Sequence, residues 1–273
     1  MNSIILINKP KNYTSRDVVN VISKKLNIKK IGHTGTLDPI AEGVLILCTN
    51  KYTRFVEYIT NYDKEYVVEG EFGYETDTLD VTGSVVKECK LDINIENFNN
   101  VLKNFVGEIE QIPPIYSAIK VKGKKLYEYA RNNENVDIPK RTVNIYSIEL
   151  LEFSNNTFKL KCNVSKGTYI RSLIRDIGLS LNTFATMKSL IRTKQGKVNI
   201  EDCGTISDLK YGNILNLIDI PIIRLEDYSI IKHGQKLKED YKFPKVLFVD
   251  ISDVPLAIYK KVEDIYKCEK MFL

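Results

Sequence analysis

Two histidines and five scattered cysteines are all that this 273-residue chain offers a soft metal. Cys48, Cys89, Cys162, Cys203 and Cys268 form no Cys-x-x-Cys pair, so no metal site and no disulfide framework is expected. Reduced thiols in a cytoplasmic setting fit this usage. The chain also lacks an apolar run long enough to span a bilayer, and its first ten residues carry no basic leader, so neither membrane insertion nor export is expected. Internal repeats and low-complexity linkers are missing. Charge of one sign is scarce as well: Lys+Arg 40 against Asp+Glu 35 leaves a net charge of +5, which suits a polyanionic partner without identifying one. No helix-turn-helix or zinc-finger signature is present, which sets a general nucleic-acid binder aside. What remains is ample core material, 43% hydrophobic residues against 27% charged, enough for one large domain and a small one.

The pattern along the chain mixes strand and helix. Ile4–Ile7 reads as a strand, and Ser15 is placed to cap a helix whose Val18, Val19, Ile22 and Leu26 recur at helical spacing. Val44–Leu47 and Lys64–Phe72 read as strands, the latter with Tyr66, Val68, Gly70 and Phe72 on one face; Lys51–Tyr62 between them reads as a helix. Helices over Ile95–Phe105 and Leu126–Arg131 and strands over Tyr116–Val121, Val143–Phe153 and Phe158–Val164 follow. Thr168 is placed to cap a helix with the stripe Ile170, Leu173, Ile174, Ile177, which Gly178 helps to end. Hairpins outnumber strand–helix–strand crossovers, so the fold class is α+β, a mostly antiparallel mixed sheet flanked by helices. An apolar junction near residue 218 divides the chain into 1–218 and a small β-rich module, 219–273.

The most committed chemistry lies in Gly32-His33-Thr34-Gly35-Thr36-Leu37-Asp38-Pro39-Ile40-Ala41-Glu42-Gly43-Val44-Leu45. Its glycines allow a tight turn and close approach of a large ligand, and Pro39 fixes the backbone after Asp38. Asp38 is thereby a candidate nucleophile, although Asp-Pro alone also suits an ordinary turn. Tyr66 sits on an apolar strand face and suits a core position or a base-stacking one. Arg171 falls in the first turn of its helix, where a cation is disfavoured by the helix dipole; it faces either solvent or a specific anion. His33 suits a backbone-bonded loop residue or a substrate contact. The run Lys120–Arg131, with Lys124 and Lys125, suits a solvated face or a phosphate-binding one. Thr76–Asp80, flanked by Gly73 and Gly83, reads as a hairpin loop rather than a metal loop.

The fourteen-residue string around Asp38 resembles the signature of the TruB family of tRNA pseudouridine synthases. Further matching segments are Asn8-Lys9-Pro10, Asp63-Lys64-Glu65-Tyr66, Thr76-Asp77-Thr78-Leu79-Asp80, Ile112-Pro113-Pro114-Ile115-Tyr116-Ser117-Ala118, Gly123-Lys124-Lys125-Leu126-Tyr127-Glu128 and Ser165-Lys166-Gly167-Thr168-Tyr169-Ile170-Arg171. They keep the family's order from about residue 4 to 200. The resemblance implies a pseudouridine synthase catalytic fold with a PUA-like C-terminal module. It implies isomerisation of uridine 55 in the tRNA T loop to pseudouridine, by base flipping and covalent catalysis, with no cofactor. Asp38, Tyr66 and Arg171 take the catalytic roles, Arg171 pairing with Asp38 and lowering its pKa. Lys9, His33, Lys124, Lys125, Tyr169 and Leu190 contact the substrate together with Tyr66. The partner implied is the tRNA T arm, without a guide RNA, and the state implied is a monomer. Two departures stand out: Ile191 replaces a second arginine common in the family, and the tail is short, which fits a stand-alone enzyme. The competing reading is a non-catalytic tRNA-folding chaperone that uses the same surface; such a protein has no need of Asp38, Tyr66 and Arg171 together.

Overall fold

In a computed structural model of the chain, which describes residues 2–90, 93–132 and 134–273, apolar alternation in the sequence becomes two sheets sharing one boundary. The chain opens with β1 (Ile4–Lys9), α1 (Ser15–Leu26), β2 (Ile31–His33) and β3 (Glu42–Thr49). A 3-10 segment (Asn50–Phe55) leads into α2 (Val56–Thr60) and β4 (Lys64–Phe72). The hairpin β5 (Tyr74–Thr76) and β6 (Val85–Glu88) is followed by α3 (Ile95–Asn104) and β7 (Gly107–Gln111). A short pair, β8 (Lys120–Val121) and β9 (Lys124–Lys125), precedes α4 (Leu126–Arg131) and the long hairpin β10 (Arg141–Ser154) and β11 (Thr157–Val164). Then come α5 (Ile170–Ser180), β12 (Ala185–Gln195), β13 (Val198–Asn199), β14 (Lys210–Gly212) and α6 (Ile214–Leu217). The last part holds β15 (Ile222–Leu225), α7 (Ser229–Lys232), β16 (Lys245–Asp250), β17 (Pro255–Val262) and β18 (Ile265–Met271).

The large sheet runs in the order β14-β1-β3-β12-β4-β11-β10-β7, with β2 on β3 and β13 on β12. Among its named strand pairs only β12 beside β3 is parallel, so the sheet is mixed and mostly antiparallel, as the hairpin pattern predicts. On β4 the alternation places Lys64, Tyr66, Val68, Gly70 and Phe72 on one buried face. That face packs on α3 and α5 through Phe98, Leu102, Leu173, Ile174 and Ile177. On β1 and β3, Ile5, Ile7, Leu45 and Leu47 meet Val18, Val19 and Ile22 of α1. Burying each such side chain contributes roughly 1.5–3 kcal/mol.

Five local expectations differ from what the chain does; one is that Gly178 does not end α5, which runs on to Ser180, the glycine instead letting Ala185 pack close, where a Cβ would lie 2.7 Å from the Ala185 N. Thr14, not Ser15, caps α1: its hydroxyl accepts from the Asp17 N–H at 3.0 Å while the Asp17 carboxylate accepts from the Thr14 N–H at 2.9 Å, a capping box. Tyr169, not Thr168, is the cap residue of α5 and offers no side-chain cap. Lys51–Tyr62 is not one helix, because Thr53 takes the Asn50 carbonyl three residues back (2.7 Å) and Lys64 takes the carbonyl of Thr60 (2.6 Å), so the segment begins as 3-10 and stops early. Tyr116–Val121 pairs only at Lys120–Val121: the carbonyl of Tyr116 goes to Arg171 and that of Ser117 to the Tyr127 N–H, which leaves no ladder to form.

The second sheet is four-stranded, β15-β16-β17-β18, with β15 parallel to β16 and the rest antiparallel. It is the small β-rich module expected at this end. Leu247, Val249, Ile258 and Phe272 join Ile4, Leu6, Val44, Ile46 and Phe55 in one apolar cluster. The Phe272 ring stacks on Phe55 with centroids 4.1 Å apart. Polar contacts rim this joint: Lys270 lies 2.6 Å from Glu57, and the Tyr58 hydroxyl donates to Glu269 at 2.8 Å.

Candidate active site

The loop between β2 and β3 is held from several sides, and Asp38 sits at its crest. The Gln195 amide donates to the Thr34 carbonyl (3.1 Å) and hydroxyl (2.9 Å), and Arg192 donates to the Gly35 carbonyl (3.1 Å) and to the Val44 carbonyl (2.7 Å). Ser15 accepts from the Leu37 N–H at 2.8 Å and lies 3.2 Å from the Leu37 carbonyl. The Asn12 N–H and the Lys9 ammonium reach the Pro39 carbonyl at 2.8 and 3.4 Å. Gly43 closes the loop with φ +104°, and a Cβ there would lie 2.2 Å from the Arg192 carbonyl oxygen. Only glycine allows β12 this close.

Arg171 projects from the first turn of α5 and is 5% exposed, so it is no solvated cation. Its Nε lies 2.9 Å from Asp38 Oδ2 and its Nη2 donates to Asp38 Oδ1 at 3.1 Å. The remaining donors go to the carbonyls of Thr78 (2.8 Å) and Tyr116 (3.0 Å), and Asp80 Oδ2 lies 3.9 Å away. Thr76–Asp80 is the hairpin loop expected, joining β5 to β6, and Asp80 also accepts from the Thr78 hydroxyl and the Thr82 N–H, both at 2.9 Å. Burial raises the Asp38 carboxyl above the ordinary aspartate range; Arg171 pulls it down and Asp80 pushes it up. The arginine therefore acts in the direction expected, yet the net displacement is upward, because removing a carboxylate from water outweighs one counter-charge.

Asp38 and Arg171 form one wall of a cavity of about 910 Å³, a size suited to a nucleotide-sized ligand. Tyr66, Tyr169 and Leu190 line it, as do Tyr116, Tyr127, Arg141 and Lys166. Burial raises the Tyr169 phenol above its usual value. His33 lies on β2, outside that lining; its Nδ1 is buried without a hydrogen-bond partner, and burial with Arg16 and Arg192 lowers its pKa.

Three of the expected substrate contacts are engaged elsewhere in this structure. Lys9 is 0% exposed, and its ammonium donates to the carbonyls of Pro10 (2.9 Å) and Tyr13 (2.6 Å), with a longer contact to Pro39. So enclosed, the ammonium braces the Asp38 loop through the Pro39 carbonyl in this structure. Burial lowers its pKa to about 8, with Glu42 and Asp38 opposing. Lys124 is ion-paired with Glu134 at 2.7 Å and lies over the Tyr129 ring at 4.6 Å. Lys125 donates to the Tyr127 hydroxyl at 3.2 Å. Among the described residues no three His, Cys, Asp or Glu side chains converge as metal ligands would.

Sequence reasoning missed Ser15 as a loop support, Gln111, Arg192 and Gln195. Each is a buried polar side chain bonded to backbone far away in sequence. No local signal marks them: β12, with Thr186, Lys188, Ser189, Thr193 and Lys194 beside Arg192 and Gln195, is polar along much of its length.

Comparison with known proteins places these features in a class. A family model described as TruB family pseudouridylate synthase (N terminal domain) matches residues 23–170. The class is thus pseudouridine synthase, an isomerase that remakes a base–ribose bond. A relative from Caldanaerobacter subterraneus subsp. tengcongensis, named tRNA pseudouridine synthase B, is 43% identical over 250 residues and covers 88% of each chain. One of the same name from Clostridium tetani is 41% identical over 290 aligned residues, covering 100% of both, and one from Mesoplasma florum is 39% identical, covering 98% and 97%. Among solved structures, a Cbf5-Nop10-Gar1 complex superposes with TM-score 0.74 at 27% identity over 99% of this chain and 85% of that one. This chain belongs to the TruB family.

Proposed function

We propose that the chain converts uridine 55 in the T loop of tRNA to pseudouridine, with Asp38 as covalent nucleophile. The observation that carries this reading is the Asp38–Arg171 pair at 2.9 Å in a cavity walled by Tyr66, Tyr169 and Leu190. The names of the relatives, tRNA pseudouridine synthase B, support tRNA as substrate. The reaction breaks the bond from ribose C1′ to N1 and forms one from C1′ to C5; C5 gives up its proton and N1 takes one up, so atoms and electrons balance without a cofactor. The uridine must leave its stack, at a cost of a few kcal/mol that is smallest in a strained loop. Asp38 attacks the uracil ring or the anomeric carbon; either route needs one ionised, oriented carboxylate, which Arg171 supplies. Tyr66 stacks on the flipped base and its phenol is in reach of proton transfer, while Tyr169 and Leu190 close the pocket.

The folded shape of the T arm is the recognition element, read by contacts to phosphate and ribose more than to base edges. Lys124 and Lys125 contact phosphate, Lys124 after leaving Glu134, and His33 contacts the substrate beside the vacated stack. In this reading 1–218 is the catalytic domain and 219–273 an accessory RNA-binding-like module. The enzyme works as a cytoplasmic monomer without a guide RNA. Incubation with an unmodified tRNA transcript, followed by chemical mapping of pseudouridine, tests it. Conversion of one T-loop uridine without added cofactor is expected; conversion elsewhere, or none, overturns the assignment.

A further inference from the structure

Helix α5 carries both Tyr169 and Arg171, yet its cap residue makes no side-chain cap of its own. Tyr169 itself is held from a residue 58 positions earlier in the chain. Gln111, the last residue of β7, is 1% exposed. Its Oε1 accepts from the Tyr169 N–H at 2.8 Å, and its Nε2 donates to the Tyr169 carbonyl at 3.1 Å. Both backbone groups of one residue are therefore gripped by one planar amide. Such a grip fixes the peptide's rotation as well as its position, because two bonds to a rigid plane leave no pivot. The next residue extends the anchorage: the Ile112 carbonyl accepts from the Ser172 hydroxyl at 2.8 Å and from Arg175 Nη2 at 3.1 Å. β7 pairs with β10, through the register Arg141–Gln111 to Ile145–Gly107, and its Ile109 packs against the core. The strand end is thus a fixed post against which the first turn of α5 is set.

We propose that Gln111 is a positioning residue of this active site: its amide fixes the Tyr169 backbone and, through the helix turn that follows, the Arg171 guanidinium against Asp38. The geometry is specific to this role. A merely structural contact would be satisfied by any hydrogen bond from β7 to α5, and Ser172 already supplies one. Gln111 instead addresses the residue that walls the cavity, two positions before the arginine. Misplacing a catalytic group by about 1 Å can cost on the order of a hundredfold in rate. The inference rests on the reading of Asp38 as nucleophile and Arg171 as its partner.

The test compares Gln111→Met, close in volume but without the amide, with Ser172→Ala, which removes the neighbouring anchor and leaves Tyr169 gripped. Single-turnover rates at saturating enzyme, tRNA affinity and the pH dependence of the rate are measured for both on the intact chain. Gln111→Met should lose roughly 10- to 100-fold in rate with affinity within about threefold, whereas Ser172→Ala should stay within about threefold in both. The groups facing Asp38 are Arg171 from α5, Asp80 from the β5–β6 loop and Lys9 from β1, and Arg141 of β10 lies beside Gln111. Loosening Arg171 removes a contribution that favours the ionised carboxylate. The low-pH limb of the rate should therefore move to higher pH in Gln111→Met and not in Ser172→Ala. Equal losses in the two variants, or a Gln111→Met rate loss with an unmoved limb, overturn the proposal. Should Gln111→Met not fold, Gln111→Asn withdraws the amide by one methylene and takes its place in the same measurements, with the same outcomes deciding. An Asp38→Asn control separates the two layers: activity retained there refutes the nucleophile itself, whereas an inert Asp38→Asn beside a wild-type-like Gln111→Met refutes only the positioning role.

Discussion

The two sheets are built from the same apolar alternation and differ in what else they bury. In the large sheet and its helices the interior holds Lys9, Lys64, Asp80, Gln111, Arg171, Arg192 and Gln195. Among the described residues, no charged, amide, serine or threonine side chain is buried beyond Gln195. The four-stranded module has an apolar core, in which the Tyr259 hydroxyl is buried without a partner. Charge divides the same way: 219–273 carries ten basic and ten acidic residues, so the net +5 belongs to 1–218. A buried polar group costs stability unless its partners are placed, so a fold that gathers so many of them around one loop is organised for that loop. Among the described residues, the module buries no such set.

Changes in the large sheet should then cost rate, and changes at the module's joint should cost stability. The largest effect is expected for Asp38→Asn, which keeps shape but loses the carboxylate proposed as nucleophile. Turnover should fall by roughly a thousandfold or more with tRNA binding within about tenfold; residual activity within an order of magnitude of wild type removes Asp38 from its role. Arg171→Ala comes next, with a loss of roughly a hundredfold. Arg171 is the counter-charge that opposes the burial-driven rise of the Asp38 pKa, so its removal raises that pKa further. The variant should be relatively worst at acid pH and recover part of its rate as pH rises; a pH-independent deficit contradicts the ion-pair account.

At the joint, Phe272→Ala removes the ring stacked on Phe55 and should lower unfolding free energy by about 3 kcal/mol, read by denaturant titration, while the single-turnover rate stays within about twofold. A large loss of rate in the folded variant would join the two regions that the comparison separates. The smallest effect is expected for Lys124→Ala with Lys125→Ala. Tight pairing of Lys124 with Glu134 means that part of its charge is already neutralised. If both lysines contact phosphate, the log–log salt slope of tRNA binding drops by roughly 0.7 to 0.9 per contact. An unchanged slope reduces the basic run to a solvated face.

The main helices and several strands were legible because period is local: β4 with its Tyr66 face, the α5 stripe and the turn to a β-rich tail all follow from spacing. The errors were also local in kind. Thr14 and Ser15 both carry hydroxyls, and only the position of Asp17 three residues after Thr14 selects the true cap. The unlegible part is the second layer of the site. Lys9 reads as a cation available to substrate, and it is a donor to three carbonyls; Ser15 reads as a helix start, and Gln111 falls between the elements read from the sequence. A bond between a side chain and distant backbone leaves no periodicity, so nothing short of the assembled sheet reveals it. The resemblance to the family supplied the outer layer of roles, and the geometry supplies what holds them.

The clasp between Arg192 and the Val44 carbonyl spans 148 positions of sequence, and that between Gln195 and Thr34 spans 161. During synthesis at roughly 5 to 20 residues per second, the second partner leaves the ribosome on the order of ten seconds after the first. Over most of that interval the nascent loop carries its aspartate without Arg171, and throughout it without a completed β12 to brace it. Completion of the site is therefore a late event in the life of the chain, because a product terminated before residue 192 lacks both clasps.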